Sequence, residues 1–130
     1  MALDRVDELF RAFADRTRLR ILNLLRDGEL CVGDLVEILS VPQPTVSRHL
    51  AQLRESHLVR TRKQGLWCFY SLAEPEGRFH ERLLSCLACC FEEVPELGDD
   101  LLAAKELRLH GGCCPEVARE APRRRGPGDR

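Results

Sequence analysis

No run of apolar residues in this sequence is long enough to cross a bilayer. The longest nearly apolar stretch spans 83–91, far short of the roughly 18–20 residues a spanning helix needs. The first twenty residues carry nine charges, so they are not expected to be the apolar core of a signal peptide. Charge of one sign is not in excess: 20 Lys and Arg face 21 Asp and Glu, for a net charge of −1. No internal repeat is visible, which removes solenoid architectures. The seven cysteines are an odd number, so they do not describe a closed disulfide framework. What remains is a cytoplasmic globular protein of 130 residues, near the usual size of one domain.

The near-neutral total conceals an uneven distribution. Residues 1–73 carry a net +2, residues 74–118 a net −6 and residues 119–130 a net +3. Within 40–66, Arg48, Arg54, Arg60, Arg62 and Lys63 stand against Glu55 alone. One local basic stretch on a weakly acidic chain fits a nucleic-acid binder that uses a single face; an ordinary solvated surface gives the same numbers.

Periodicity supplies the order of elements. Val6, Leu9, Phe10 and Phe13 recur at helical spacing over 5–14. Asp15 suits the N-cap of a second helix reaching about residue 26, with Leu19, Leu22 and Leu25 inward and Asp27-Gly28 as its stop. A short helix over 32–39 and a turn over 40–43 lead to Pro44, which is tolerated in a first helical turn. The fourth helix, 44–56, is split into an apolar face (Val46, Leu50, Leu53) and a polar one. Residues 58–61 and 66–72 read as strands around Gln64-Gly65. A long helix over 76–94, Pro95, and a shorter helix over 99–109 follow. Three segments are expected: 1–98 for DNA binding and dimerisation, 99–118 for a C-terminal helix and cysteine loop, and a disordered basic tail over 119–130.

Helix, short helix, tight turn, polar-faced helix and basic hairpin form the order of a winged helix-turn-helix, mainly α with a β-hairpin. One face of the fourth helix anchors it, and the other offers side chains to base edges. Arg48 and Gln52 can bond bases in pairs, Thr45 and Ser47 suit phosphate near the helix N-terminus, and Gln43 and His49 adjoin them. Arg62, Lys63 and Gln64 place cations and an amide at the wing tip.

The segments Glu29-Leu30-Cys31-Val32-Gly33-Asp34-Leu35, Gln43-Pro44-Thr45-Val46-Ser47-Arg48-His49-Leu50, Leu53-Arg54-Glu55-Ser56 and Arg62-Lys63-Gln64-Gly65-Leu66-Trp67, with Tyr70, resemble the ArsR family of metalloregulatory repressors over roughly residues 5–94. The resemblance implies a homodimer that pairs through its first helix and the helix after the wing. It also implies binding to an inverted-repeat operator in double-stranded DNA, and release when an inducer binds. Arsenic-sensing relatives carry C-x-C-x-x-C on the third helix; here only Cys31 stands, with Gly33 and Val36 at the other two positions. Cys31 and Cys68 are therefore expected to be packing residues. The Asp/His/Glu ligand set of zinc-sensing relatives on the helix after the wing is not matched either, since His80 stands without it.

Cys86, Cys89 and Cys90, with Cys113 and Cys114, replace both sites. At 100° per residue from Phe79, Cys90 falls near 20°, Cys86 near −20° and Cys89 near −80°, a stripe along the edge of the apolar face whose sulfurs are close enough to converge. Thiolates there suit Cu(I), Zn(II), Cd(II) or a trivalent metalloid, and the resemblance favours arsenite or antimonite as inducer. Cys89 and Cys90 with Cys113 or Cys114 are the first choice of ligands. Two alternatives stand beside this. One keeps DNA binding and makes the thiols a sensor of oxidation or persulfide, although Glu92, Glu93 and Glu116 work against thiolate formation. The other, an enzyme such as a thiol-dependent arsenate reductase, needs an anion-binding loop after a cysteine, and none is seen.

Overall fold

A computed structural model describes residues 2–90 and 93–112. It contains helices α1 (Leu3–Phe13), α2 (Arg16–Leu25), α3 (Val32–Leu39), α4 (Gln43–Glu55), α5 (Arg78–Cys90) and α6 (Pro95–Leu109). Its strands are β1 (Leu30–Cys31), β2 (Val59–Gln64) and β3 (Trp67–Leu72), arranged in the order β1-β3-β2 with antiparallel pairing throughout. No helix among the described residues is long and apolar enough to cross a membrane.

Local chemistry sets the boundaries. The Asp15 carboxylate accepts the Arg18 backbone N–H at 3.0 Å and starts α2, satisfying a donor that has no partner within the helix. At α3 the capping acceptor is a thiol: Cys31 Sγ receives the Asp34 N–H at 3.4 Å. Ser40 closes α3 in the left-handed region, at φ 57° and ψ 43°, and Pro44 opens α4. Gln64 pairs with Trp67, so the hairpin loop is Gly65-Leu66, one residue later than the sequence suggests. Gly65 has φ +64° at the first central position, which a type II′ turn reserves for glycine.

One large cluster of buried side chains holds these pieces together. Leu9, Ile21, Leu22, Leu24, Leu30, Leu35, Val46, Leu50, Leu53 and Leu58 are all fully buried, and each such side chain contributes about 1.5–3 kcal/mol of apolar transfer free energy. The outermost helix belongs to the same core: Leu101 and Ala104 of α6 join the cluster. Polar latches reinforce it. Asn23 Nδ2 donates to the Leu97 carbonyl at 3.1 Å, and Arg108 donates to the Gly28 carbonyl at 3.2 Å.

Several expectations are corrected here. The last helix starts at Pro95 rather than 99, because a missing N–H at its first turn costs nothing. Helix α6 spans positions 98 and 99, and Leu101 and Ala104 of this helix belong to the core cluster. The wing has a third strand, β1, too short for any periodicity to reveal. Leu66, in the hairpin loop, is fully exposed. The expected tail over 119–130 lies outside the described residues.

Candidate nucleic-acid interface

Helix α4 lies with Val46, Leu50 and Leu53 fully buried, which fixes what its other side presents. Gln43, Arg48 and Gln52 are exposed, and Thr45 and Ser47 are half-buried at its first turns. His49 is different: it is only 9% exposed. Its Nε2 stands 3.8 Å from Asp15 Oδ2 and its Nδ1 3.4 Å from Arg18 Nη1. Lying one turn from both Val46 and Leu53, it shares their inward face and braces α4 against α2, where the sequence had placed it beside the DNA-facing side chains. Burial pushes the Asp15 carboxyl up, but the Arg18 backbone N–H and the charges of His49 and Arg18 outweigh this and hold it below its usual value.

The wing also departs from the expected tip of free cations. Arg62 Nη2 and Nε reach the Glu29 carboxylate at 2.6 and 3.2 Å, and its guanidinium lies 4.6 Å from the Phe69 ring centroid. A cation held by a bidentate carboxylate and an aromatic face is a strut that ties the hairpin to the residue before β1. Lys63 and Gln64 remain exposed beside Leu66. Arg48, Arg54, Arg60 and Lys63 are exposed positive groups around α4 and the hairpin, suited to base-edge or phosphate contacts.

Arg18, which periodicity does not single out, is the organising residue behind this face. Its Nε donates to the Ala12 carbonyl at 3.1 Å, its Nη2 to the Arg11 carbonyl at 2.9 Å and its Nη1 to Gln52 Oε1 at 2.9 Å. Together with Gln52, Glu8 and Ser56 it lines a shallow groove between α1 and α4. Glu29, the partner of Arg62, is equally silent in the sequence. Both bind across 30 or more residues, a separation at which no local pattern signals contact.

The thiols fall into two groups. Cys31 is 3% exposed and serves as the α3 cap. Cys68 is half-buried beside Tyr70, whose hydroxyl burial pushes up in pKa. Cys86 and Cys89 are free and exposed on α5. The side chain of Cys90, and Cys113 and Cys114, lie outside the described residues. Among the described residues, no three His, Cys, Asp or Glu side chains form a group able to hold a metal ion.

Comparison with known proteins agrees with this architecture. A family model described as bacterial regulatory protein, arsR family, matches residues 15–61. The chain is 36% identical over 102 residues to the arsenic resistance transcriptional regulator ArsR1 of Pseudomonas putida, covering 78% of this chain and 74% of that one. The structure is similar to the AntR antimony-specific transcriptional repressor, with a TM-score of 0.59 and 32% identity over 72% of this chain and 82% of that one. A homodimeric winged helix-turn-helix DNA-binding domain from Mycobacterium bovis matches with a TM-score of 0.59 and 31% identity, over 72% and 84% of the two chains. With the order of its elements and its relatives in agreement, the chain belongs to the ArsR family of bacterial regulatory proteins and is a winged helix-turn-helix DNA-binding transcription regulator rather than an enzyme.

Proposed function

We propose that this protein is a cytoplasmic homodimeric repressor that leaves its operator when arsenite or antimonite is bound by C-terminal thiols. DNA is held through α4 and the β2–β3 wing: Arg48 and Gln52 meet base edges, while Gln43, Thr45, Ser47, Lys63 and Gln64 meet the backbone. Inverted half-sites about 34 Å apart, or a multiple of that, match a two-fold dimer. Leu3 and Phe10, 80% and 52% exposed, give α1 an apolar surface, and Phe10 meets Phe79 of α5 edge-on at 5.5 Å. Leu9 and Leu87 are buried within the protomer, so the dimer contact falls to these neighbours.

The observation that carries the inducer assignment is the contrast between cysteines. Cys31 is enclosed and engaged in a helix cap, whereas Cys86 and Cys89 are free and exposed one helical turn apart. Cys89 and Cys90 with Cys113 or Cys114 supply the three thiolates that a trivalent metalloid takes, with Cys86 adjacent. Relatives named for arsenic resistance and for antimony support this choice.

Fluorescence anisotropy on a selected operator, with arsenite, antimonite, Zn(II), Cd(II) or an oxidant added, tests the reading. Arsenite or antimonite should release DNA from the wild type and from Cys31→Ser. Cys89→Ser, Cys90→Ser and the Cys113/Cys114 double variant should stay bound. Release by Zn(II) or Cd(II) alone replaces the inducer with a divalent ion, and release by oxidant alone replaces it with a redox signal. Loss of response in Cys31→Ser only moves the site to α3 and overturns the proposal.

A further inference from the structure

Helix α1 ends against a guanidinium. Its last carbonyls have no partner within the helix, and Arg18 of α2 fills that end. Arg18 Nε donates to the Ala12 carbonyl at 3.1 Å and Nη2 to the Arg11 carbonyl at 2.9 Å, where the helix dipole favours a cation. The third nitrogen reaches α4: Nη1 donates to Gln52 Oε1 at 2.9 Å and lies 3.4 Å from His49 Nδ1. An amide oxygen has two lone pairs and its NH2 two donors, so Gln52 can meet a base while Arg18 holds it.

A shallow groove runs between the two helices joined in this way, with Glu8 and Arg11 on the α1 side and Gln52 and Glu55 on the α4 side. The charged groups of the α1 wall are engaged along α1 itself, Arg11 with Asp7 and Glu8 with Arg5. Arg18 is the side chain that bonds to both walls. Burial of Leu9 and Ala12 seats α1 on the core, and burial of Val46, Leu50 and Leu53 decides which face of α4 turns inward. Apolar burial is non-directional, so the tilt of one helix against the other is set by the directional bonds across the groove. A planar fork bonded through all three nitrogens fixes that tilt as a single ammonium cannot.

We propose that Arg18 is a positioning residue that sets the half-site spacing the dimer accepts. Spacing in a two-fold DNA binder is a geometric property, given by the separation and tilt of two recognition helices about the dimer axis. Helix α1 carries the exposed Leu3 and Phe10 of the dimer surface, and α4 carries the base-reading side chains. A strut from α1 to α4 therefore joins the axis to the reader. With the strut intact, a shifted half-site is met only by breaking charge-assisted bonds; without it, each α4 follows its own half-site. This role rests on the reading of α4 as the helix that meets bases and of α1 as part of the dimer contact, and it adds the residue that ties the two.

The test is operator affinity, read by anisotropy with the full-length protein, on the selected operator and on versions with one base pair added or removed between the half-sites. Wild type should bind the altered spacings about tenfold more weakly. Arg18→Met, which keeps the stem and removes the donors, should narrow that penalty to about threefold or less while sedimentation still shows a dimer. Arg18→Lys keeps the charge without the fork and should behave like Arg18→Met; full recovery of the penalty by lysine would assign the effect to charge and overturn the strut. Gln52→Met cuts the strut at its α4 end. It should weaken binding to every duplex yet narrow the ratio between spacings in the same way, and it decides the matter if Arg18→Met does not fold. A merely structural role for Arg18 would weaken all spacings by one factor. A ratio unchanged from wild type in either folded variant therefore overturns the inference, as does a wild type indifferent to spacing. Full operator affinity in Arg48→Ala, or a wild type that sediments as a monomer, is a separate failure of the underlying reading, visible before the spacing series begins.

Discussion

Arg20 of α2 grips Asp100 of α6 through two hydrogen bonds of 2.8 Å, Nε to Oδ2 and Nη2 to Oδ1. The Asp100 side chain is 6% exposed and that of Arg20 17%. The bond to Asp100 raises the Arg20 guanidinium above its usual value against the opposing effect of burial. Removing one partner leaves the other largely desolvated, so Asp100→Ala should cost about 3 kcal/mol, whereas Arg20→Met with Asp100→Leu should recover most of that loss. A double-mutant cycle in urea measures the difference; equal losses in the single and double variants would show that the pair does not fasten α6.

Helix α4 and the wing together carry two kinds of cation. Arg62 is tied to Glu29 and Phe69, while Arg48 and Lys63 are exposed. We expect Arg48→Ala to weaken operator binding by about 1–3 kcal/mol and Lys63→Ala chiefly to reduce the salt slope by about one. Arg62→Ala should lower the unfolding temperature more than it alters the salt dependence. Titrations at several salt concentrations, alongside thermal melts, distinguish these effects. An Arg62 variant with native stability and a flattened slope would return that residue to the DNA surface.

Cys31 provides a test of structural duty against ligand duty. Its sulfur caps α3 by accepting the Asp34 N–H. Serine keeps an acceptor there and valine does not, so Cys31→Val should lose about 1 kcal/mol relative to Cys31→Ser, the usual cost of losing a cap. Chemical denaturation of the two variants checks this, and equal stabilities would remove the capping role.

His80 makes stability depend on pH. It is fully buried, its Nδ1 accepts the Glu76 N–H at 3.1 Å, and its Nε2 has no hydrogen-bond partner among the described residues. Burial pushes its pKa below the usual 6.5; Glu76 opposes that shift and Arg5 adds to it. Just below pH 6.5 the unfolded chain then binds more protons than the folded one. The contribution is present above that value and is lost as pH falls toward the folded pKa. We expect the urea midpoint to be lower at pH 5.5 than at pH 7.5, and His80→Asn, which keeps an acceptor for the Glu76 N–H, to show less of this drop. Equal drops in both proteins would assign the acid sensitivity to another group.

Much of the architecture was legible because its signals are local. The Asp15 cap, the α3 span 32–39, the two faces of α4 and the glycine in the hairpin turn each follow from residues within a few positions of one another. What escaped the sequence depends on distant partners. Arg18 and Gln52 are 34 residues apart, Arg62 and Glu29 33, and Arg20 and Asp100 80. A charged residue carries no mark of whether it ends in solvent, on DNA or on a carboxylate across the molecule. The internal partners of His49 and Arg62 are invisible in the sequence for that reason. The two-residue strand β1 was missed because alternation needs more length to show.

That short strand has a mechanical consequence. Leu30 and Cys31 pair with Tyr70 and Phe69 of the wing, and Cys31 also caps the helix that begins at the next residue. Glu29, immediately before, holds Arg62 of the hairpin. Three successive residues thus weld the hairpin to α3, leaving no hinge between the wing and the helix-turn-helix. The wing and the helix-turn-helix are thereby coupled, so the two parts proposed to face DNA are expected to shift together and not to spread apart.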